Sequence, residues 1–211
     1  MSETRKNAVN EALSLPLADQ FEADASAMLL SDCDLILAAI DVDQFDAVNK
    51  NFDFEEGDRI LIETGRYVEQ TVKKIGRGRV YRYGGDEFFL LFSAHEEKED
   101  VFLWMEELRR GYDVHTKDGA VQTISIGIAA SPEDGATCLE LVRKAEGAMF
   151  RSKLMGRNRV SLAREEKMVT KTSHYTEQQL KRLTKASQRE GIGEAVLLRE
   201  ALDMLLKKYD A

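Results

Sequence analysis

The chain has 211 residues, enough for one good-sized domain or one domain with a small appendage, and its 43% hydrophobic and 32% charged content fits a folded globular protein. A net charge of −8 argues against a protein that coats nucleic acid non-specifically. No apolar run approaches the roughly 20 residues needed to span a bilayer, and the polar first residues do not resemble a signal peptide, so a cytoplasmic location and no membrane partner are expected. Cys33 and Cys138 lack metal-ligand spacing and fit reduced, structural thiols. The charge is uneven: from residue 166 onward nine Lys or Arg face seven Asp or Glu, so residues 1–165 carry all of the acidic excess. That break suggests two units, 1–165 and 166–211.

In chain order, the apolar run Leu35–Ile40 ending in Asp41 predicts a buried strand. Residues 54–74 show helical spacing, with Ile60, Leu61, Thr64, Tyr67, Val68 and Val72 largely on one side. Arg79–Tyr83 and Asp86–Phe92 are β-prone runs separated by Gly84-Gly85, which predicts a hairpin whose tight turn uses positive φ at the glycines. A helix is expected over 98–110, with Val101, Phe102, Met105 and Leu108 inward. A strand follows over 121–129, then a helix over 137–154 closed by Gly156, then an edge strand over 159–162. The order βαββαβαβ indicates an α+β protein with a mixed or antiparallel central sheet flanked by helices. Beyond it, Thr176-x-x-Gln179 is a capping-box signature, followed by Leu180, Leu183 and Ala186 at helical spacing. After a break at Gly191-Ile192-Gly193, a second helix presents Val196, Leu197, Ala201, Leu202, Leu205 and Leu206. Two short helices cannot bury such a face alone.

The chemistry concentrates at the hairpin. Asp86 and Glu87 follow the two glycines, which leave room for a nucleotide to approach the backbone. Asp41 ends the preceding strand, with Asp43 two residues on. If the strands are neighbours, Asp41 and Asp86 converge at one edge of the sheet. Oxygen ligands there suit Mg²⁺, which takes one or two carboxylates plus phosphate oxygens. By itself such an acid pair also describes an ordinary acidic surface loop.

Tyr81-Arg82-Tyr83-Gly84-Gly85-Asp86-Glu87-Phe88 resembles the signature hairpin of the GGDEF family of diguanylate cyclases. Asp41-Val42-Asp43-Gln44-Phe45 through Asn49, then Gly57-Asp58, is similar to the family's metal and guanine-reading segment. Thr123 to Ala129 resembles its central strand. Ala145 to Phe150, with Lys153, Gly156, Arg157, Asn158 and Arg159, resembles its closing helix and basic turn. The resemblance implies a nucleotide-cyclase, polymerase-palm-like fold and condensation of two GTP into cyclic di-GMP. By position it implies that Asp41 and Asp86, with the Val42 carbonyl, hold Mg²⁺ or Mn²⁺, and that Glu87 is a further ligand or the base. Asn49 and Asp58 would read guanine, with Phe45, Gly84 and Gly85 at the substrate. Lys153 and Arg157 would grip phosphates from one side of a helix end, unless they merely complement its dipole.

The sequence also departs from the pattern. The family's leading Asp-x-Leu-Thr-Gly-Leu motif is poorly matched by residues 10–18. Asp46 stands where the family usually has lysine, and Asp53-Phe54 replaces the usual Gly-His. The family's product-feedback pattern, Arg-x-x-Asp ahead of the hairpin, falls on Ile75, Gly76, Arg77 and Gly78, so tight feedback of that kind is not expected. The motifs begin near the N-terminus, which leaves the C-terminal segment as the candidate dimeriser. Residues 168–208 resemble a ribbon-helix-helix module, implying a homodimer through the tail, with DNA contact by Thr170, Thr172 and His174 as an alternative that is not favoured. Two functional readings stand: an active cyclase dimerised through its tail, or a nucleotide-binding regulator with little turnover whose tail binds DNA or a partner.

Overall fold

Alternation along one central strand organises the larger unit. The computed structural model describes residues 3–31, 34–93, 96–163, 172–190 and 193–209. The chain divides into two units, Met1–Glu166 and Lys167–Ala211. In the first, β1 (Leu35–Val42) is buried along its whole length. It sits third in a five-stranded sheet with β2 (Arg79–Arg82), β3 (Glu87–Ser93), β4 (Ile124–Ala130) and β5 (Val160–Leu162), ordered β2-β3-β1-β4-β5. β1 pairs antiparallel with β3 and β4, β2 with β3 likewise, and β5 runs parallel to β4. The mixed sheet flanked by helices is the architecture the element order implied.

Because side chains alternate across a strand, β1 feeds two cores. Ile36, Ala38, Ile40 and Val42 join a core with α1 (Glu3–Leu13), α4 (Phe54–Ile75) and α5 (Lys98–Arg110), through residues such as Leu13, Leu61, Val68 and Met105. Leu35, Leu37 and Ala39 join the other, with Phe21 and Ala25 of α2 (Ala18–Leu30) and Leu141, Ala145 and Met149 of α6 (Cys138–Leu154). Phe21 meets Tyr81, Tyr83 and Phe89 edge to face, and Tyr83 stacks on Phe89 at 3.9 Å. This aromatic cluster fixes the base of the hairpin.

The expected strand over 121–129 begins later, at Ile124; Val121 instead forms an isolated bridge with His115, and Gln122 N–H donates to the Val114 carbonyl at 2.8 Å. Three helices were not anticipated: α1, α2 and the short α3 (Phe45–Asn51). The edge of β2 is covered by residues 16–17, where Arg82 N–H donates to the Pro16 carbonyl at 2.9 Å.

The second unit holds α7 (Glu177–Glu190) and α8 (Glu194–Tyr209). The capping box is present: Thr176 Oγ1 accepts from Gln179 N at 3.2 Å and Gln179 Oε1 from Thr176 N at 2.9 Å. Leu180, Leu202, Leu205 and Leu206 are all more than 40% exposed, and among the described residues no member of the buried core lies beyond Ala163. The expected ribbon and Thr170 lie outside the described residues; Thr172 and His174 are exposed on irregular backbone.

Gly127 lets α6 pack directly on the sheet, because a Cβ there would lie 2.0 Å from the Ala145 carbonyl oxygen and 2.2 Å from Met149 N. Gly127→Ala is therefore expected to cost about 2–3 kcal/mol of stability. Urea unfolding followed through the single tryptophan, Trp104, checks this, since that ring packs on Phe92 of the same unit.

Candidate active site

The β1–β3 register sets Asp41 opposite Glu87, and Val42 N–H donates to the Asp86 carbonyl at 3.3 Å. Asp41 and the two acids of the hairpin thus meet at one end of the sheet. Alternation turns Asp41 toward the α6 side, where Lys153 Nζ lies 2.6 Å from Asp41 Oδ2. Burial pushes the Asp41 carboxyl up to about 7; Asp86 and Glu87 push the same way, and Lys153 opposes them. Asp86 is also raised, first by burial and further by Asp46, against Lys153 and Arg82.

The glycine turn differs from the expectation. Neither Gly84 nor Gly85 adopts a positive φ. The connection is longer than a two-residue turn: Tyr83 and Gly84 N–H both reach the Glu87 carbonyl, at 3.1 and 3.3 Å, leaving a loop that carries Asp86. A longer loop distributes the bend and needs no left-handed residue. A Cβ on Gly85 would meet nothing within 4 Å, so that face of the loop is open.

The expected guanine readers lie on adjacent helices. Gly57 makes room for the first of them: a Cβ there would sit 2.2 Å from Asn49 Oδ1, so the bare glycine seats the Asn49 amide beside the first turn of α4, where Asp58 follows. Asp53 caps that turn, accepting from Glu56 N at 2.7 Å. Phe45, expected at the substrate, is a correction: the residue is 6% exposed, belongs to the core, and packs beneath Gly57. Arg157 is another. α6 ends at Leu154, and Gly156, Arg157 and Asn158 all take positive φ, so Arg157 leaves the helix and shares no helical face with Lys153.

Two residues of the motifs carry roles that the sequence did not assign. Asp43 is 2% exposed and accepts from Thr123 Oγ1 and Ser125 Oγ, both at 2.7 Å, and from Asn158 N at 3.1 Å. It ties the end of β1 to β4 and to the turn after α6. Arg82 is buried under the loop, donating to the Gly85 carbonyl at 3.0 Å and to Asn10 Oδ1, with Asp58 and Asp86 both close enough to favour its charge. A cation at an inward strand position was the available signal.

Among the described residues no three His, Cys, Asp or Glu side chains form a ready-made metal cage. A few hard oxygens at one edge nevertheless fit Mg²⁺ or Mn²⁺, which keep several positions for water and phosphate.

The fold and the acidic glycine hairpin define a GGDEF-type nucleotide-cyclase domain. Residues 16–159 match the family model described as diguanylate cyclase, GGDEF domain, and residues 169–210 match a ribbon-helix-helix domain. The chain belongs to the diguanylate cyclase GGDEF-domain family. It is 32% identical to the bifunctional diguanylate cyclase/cyclic di-GMP phosphodiesterase MucR of Pseudomonas aeruginosa over 67% of this chain and 21% of that protein. It is 29% identical to the probable diguanylate cyclase DgcF of Escherichia coli over 68% and 47%. The chain therefore spans less than half the length of these curated relatives. The crystal structure of the GGDEF domain of YfiN (TpbB) from Pseudomonas aeruginosa superposes with a TM-score of 0.67 at 26% identity, covering 73% of this chain and 99% of that one.

The unfolded Asp41 carboxyl ionises near 3.8 and the folded one near about 7. Stability conferred by the neutral acid is present below about pH 4 and is lost as the pH rises to about 7. Asp41→Asn is thus expected to stabilise the protein by about 1–3 kcal/mol near pH 8, in buffer with a chelator, and to give no gain near pH 4. Trp104 fluorescence melts at the two pH values measure it.

Proposed function

We propose that the protein is a diguanylate cyclase that condenses two GTP into cyclic di-GMP and works as a homodimer through its C-terminal unit. In the reaction the 3′-hydroxyl of each GTP attacks the α-phosphorus of the other, breaking the bond to pyrophosphate; two pyrophosphates and two protons leave. The observation that carries this reading is the β1–β3 register, which sets Asp41 beside the Asp86-Glu87 loop. Asp41, Asp86 and the Val42 carbonyl would hold Mg²⁺ or Mn²⁺, which when bound stabilises charge on the phosphates. Glu87 stands as the further ligand or the base that takes the hydroxyl proton. The open face at Gly85, beside Gly84, admits the triphosphate. Asp58 accepts hydrogen bonds from the N–H groups of the guanine edge, the Asn49 amide donates and accepts there, and Phe45 supports them from below. Lys153 and Arg157 reach the phosphates from separate backbone segments.

Each nucleotide must be presented to the other, so two copies of the domain have to meet. The exposed apolar residues of α7 and α8 support the tail as the dimerising element, and the ribbon-helix-helix match to 169–210 supports the same assignment. DNA contact by Thr170, Thr172 and His174 is not needed for this role. The second reading, a nucleotide-binding regulator with little turnover, draws on Asp46, whose charge acts on Asp86 where a phosphate-attracting cation would help.

Purified protein incubated with GTP and Mg²⁺ is expected to yield cyclic di-GMP by chromatography. Asp86→Ala should reduce the product at least about a hundredfold while leaving the Trp104 spectrum intact. Nucleotide binding without product would instead support the regulator. Removing residues 166–211 should shift the protein to monomer by light scattering and lower its specific activity.

At the feedback position Arg77 is paired with Glu96 at 2.5 Å, and Gly78 has φ +89 with a Cβ site 2.6 Å from the Phe92 ring, so aspartate does not fit there. Added cyclic di-GMP at micromolar concentration is expected to leave the initial rate unchanged; tight inhibition abolished by Arg77→Ala would contradict this.

A further inference from the structure

Lys153 and a divalent cation would claim the same carboxylate. Lys153 Nζ lies 2.6 Å from Asp41 Oδ2, inside the distance of a direct charge-assisted hydrogen bond. The two partners differ in freedom. Asp41 is fixed by register to Glu87 on one side and Ser125 on the other, and its side chain is 8% exposed. The Lys153 side chain is 29% exposed and stands in the last turn of α6 on a flexible four-carbon stem. If one of them moves, it is the lysine.

We propose that Lys153 is an exchangeable cation of the site: its ammonium neutralises Asp41 until a divalent ion takes that carboxylate, and it then turns to the phosphates of the nucleotide. This rests on the reading of the site as a metal and triphosphate centre. The charge balance of the cleft favours the exchange. Asp41, Asp86, Glu87 and Asp46 supply negative charge, and Lys153 is the cation in contact with Asp41, while Arg82 is engaged with the Gly85 carbonyl and Asn10. With Asp46 where the family usually has lysine, Lys153 has two duties, partner of Asp41 and ligand of phosphate. A mono- and a divalent cation on one buried carboxylate repel each other, so each weakens the other's hold. A triphosphate relieves the conflict by giving the ammonium a new partner. Metal and nucleotide should therefore bind with positive coupling, and the coupling should pass through Lys153.

The test is a Mn²⁺ titration of the full chain without nucleotide, with free ion followed by electron paramagnetic resonance. Lys153→Gln is expected to bind Mn²⁺ about fivefold more tightly than the unaltered protein, the worth of one partly exposed ion pair. Lys153→Arg, which keeps the cation, should stay within about twofold. With a non-hydrolysable GTP analogue the order reverses: Lys153→Gln should hold the nucleotide about fivefold more weakly. Lys153→Gln binding Mn²⁺ no more tightly, or neither protein binding it, would overturn the exchange. Asp41→Asn distinguishes the two levels. If Asp41→Asn weakens Mn²⁺ binding while Lys153→Gln changes nothing, the exchange alone fails. If Mn²⁺ binding is indifferent to Asp41→Asn, the metal assignment fails and the exchange with it.

Discussion

The antiparallel pairing of β1 with β3 is the constraint on which the rest depends. Asp41 must lie opposite Glu87, because a slip of one residue would turn Leu35, Leu37 and Ala39 out of one core and Ile36, Ala38 and Ile40 out of the other. Both faces of β1 are buried, so hydrophobic packing on two sides sets the position of a charged side chain at the strand's end. The cost of burying that charge is visible in the raised Asp41 carboxyl. It is an electrostatically costly arrangement held in place by packing, of the kind that concentrates at functional sites.

The elements around this pairing serve its geometry. Gly127 lets α6 approach the sheet closely enough for Lys153 to reach Asp41. Asp43, bonded to Thr123, Ser125 and Asn158, locks the strand end to the turn that carries Arg157. Arg82 braces the loop bearing Asp86 from below, while its backbone N–H holds the N-terminal segment against β2. Asp53, a departure from the family pattern, has a local reason as the cap of the 22-residue α4.

Much of this was legible in the sequence where local signals agree. The helix Lys98–Arg110 follows from periodicity, β1 from its short unbroken apolar run up to Asp41, and the capping box at Thr176 from its spacing. Helices α1 to α3 were not legible. The cap position of α2 is Leu17, which offers no side-chain acceptor, and α2 buries only Phe21 and Ala25; α3 has seven residues and begins after a left-handed Gln44. These helices form because the sheet gives them a surface. At the site, Asp41, Asp86 and Glu87 could be named because they sit at a strand end and a hairpin. The Lys153–Asp41 contact and the Asp43 hydrogen bonds could not, since they join residues from 80 to 115 positions apart in the chain. Arg157 was misplaced because spacing of four implies a shared face only while the helix continues.

The most direct measurement is a crystal structure of the protein with a non-hydrolysable GTP analogue and Mg²⁺. The expected result is metal density between Asp41 and Asp86, with the triphosphate over Gly85 and the base between Asn49 and Asp58. Nucleotide bound elsewhere, with Asp41 still held by Lys153 and no ion beside Asp86, would contradict it.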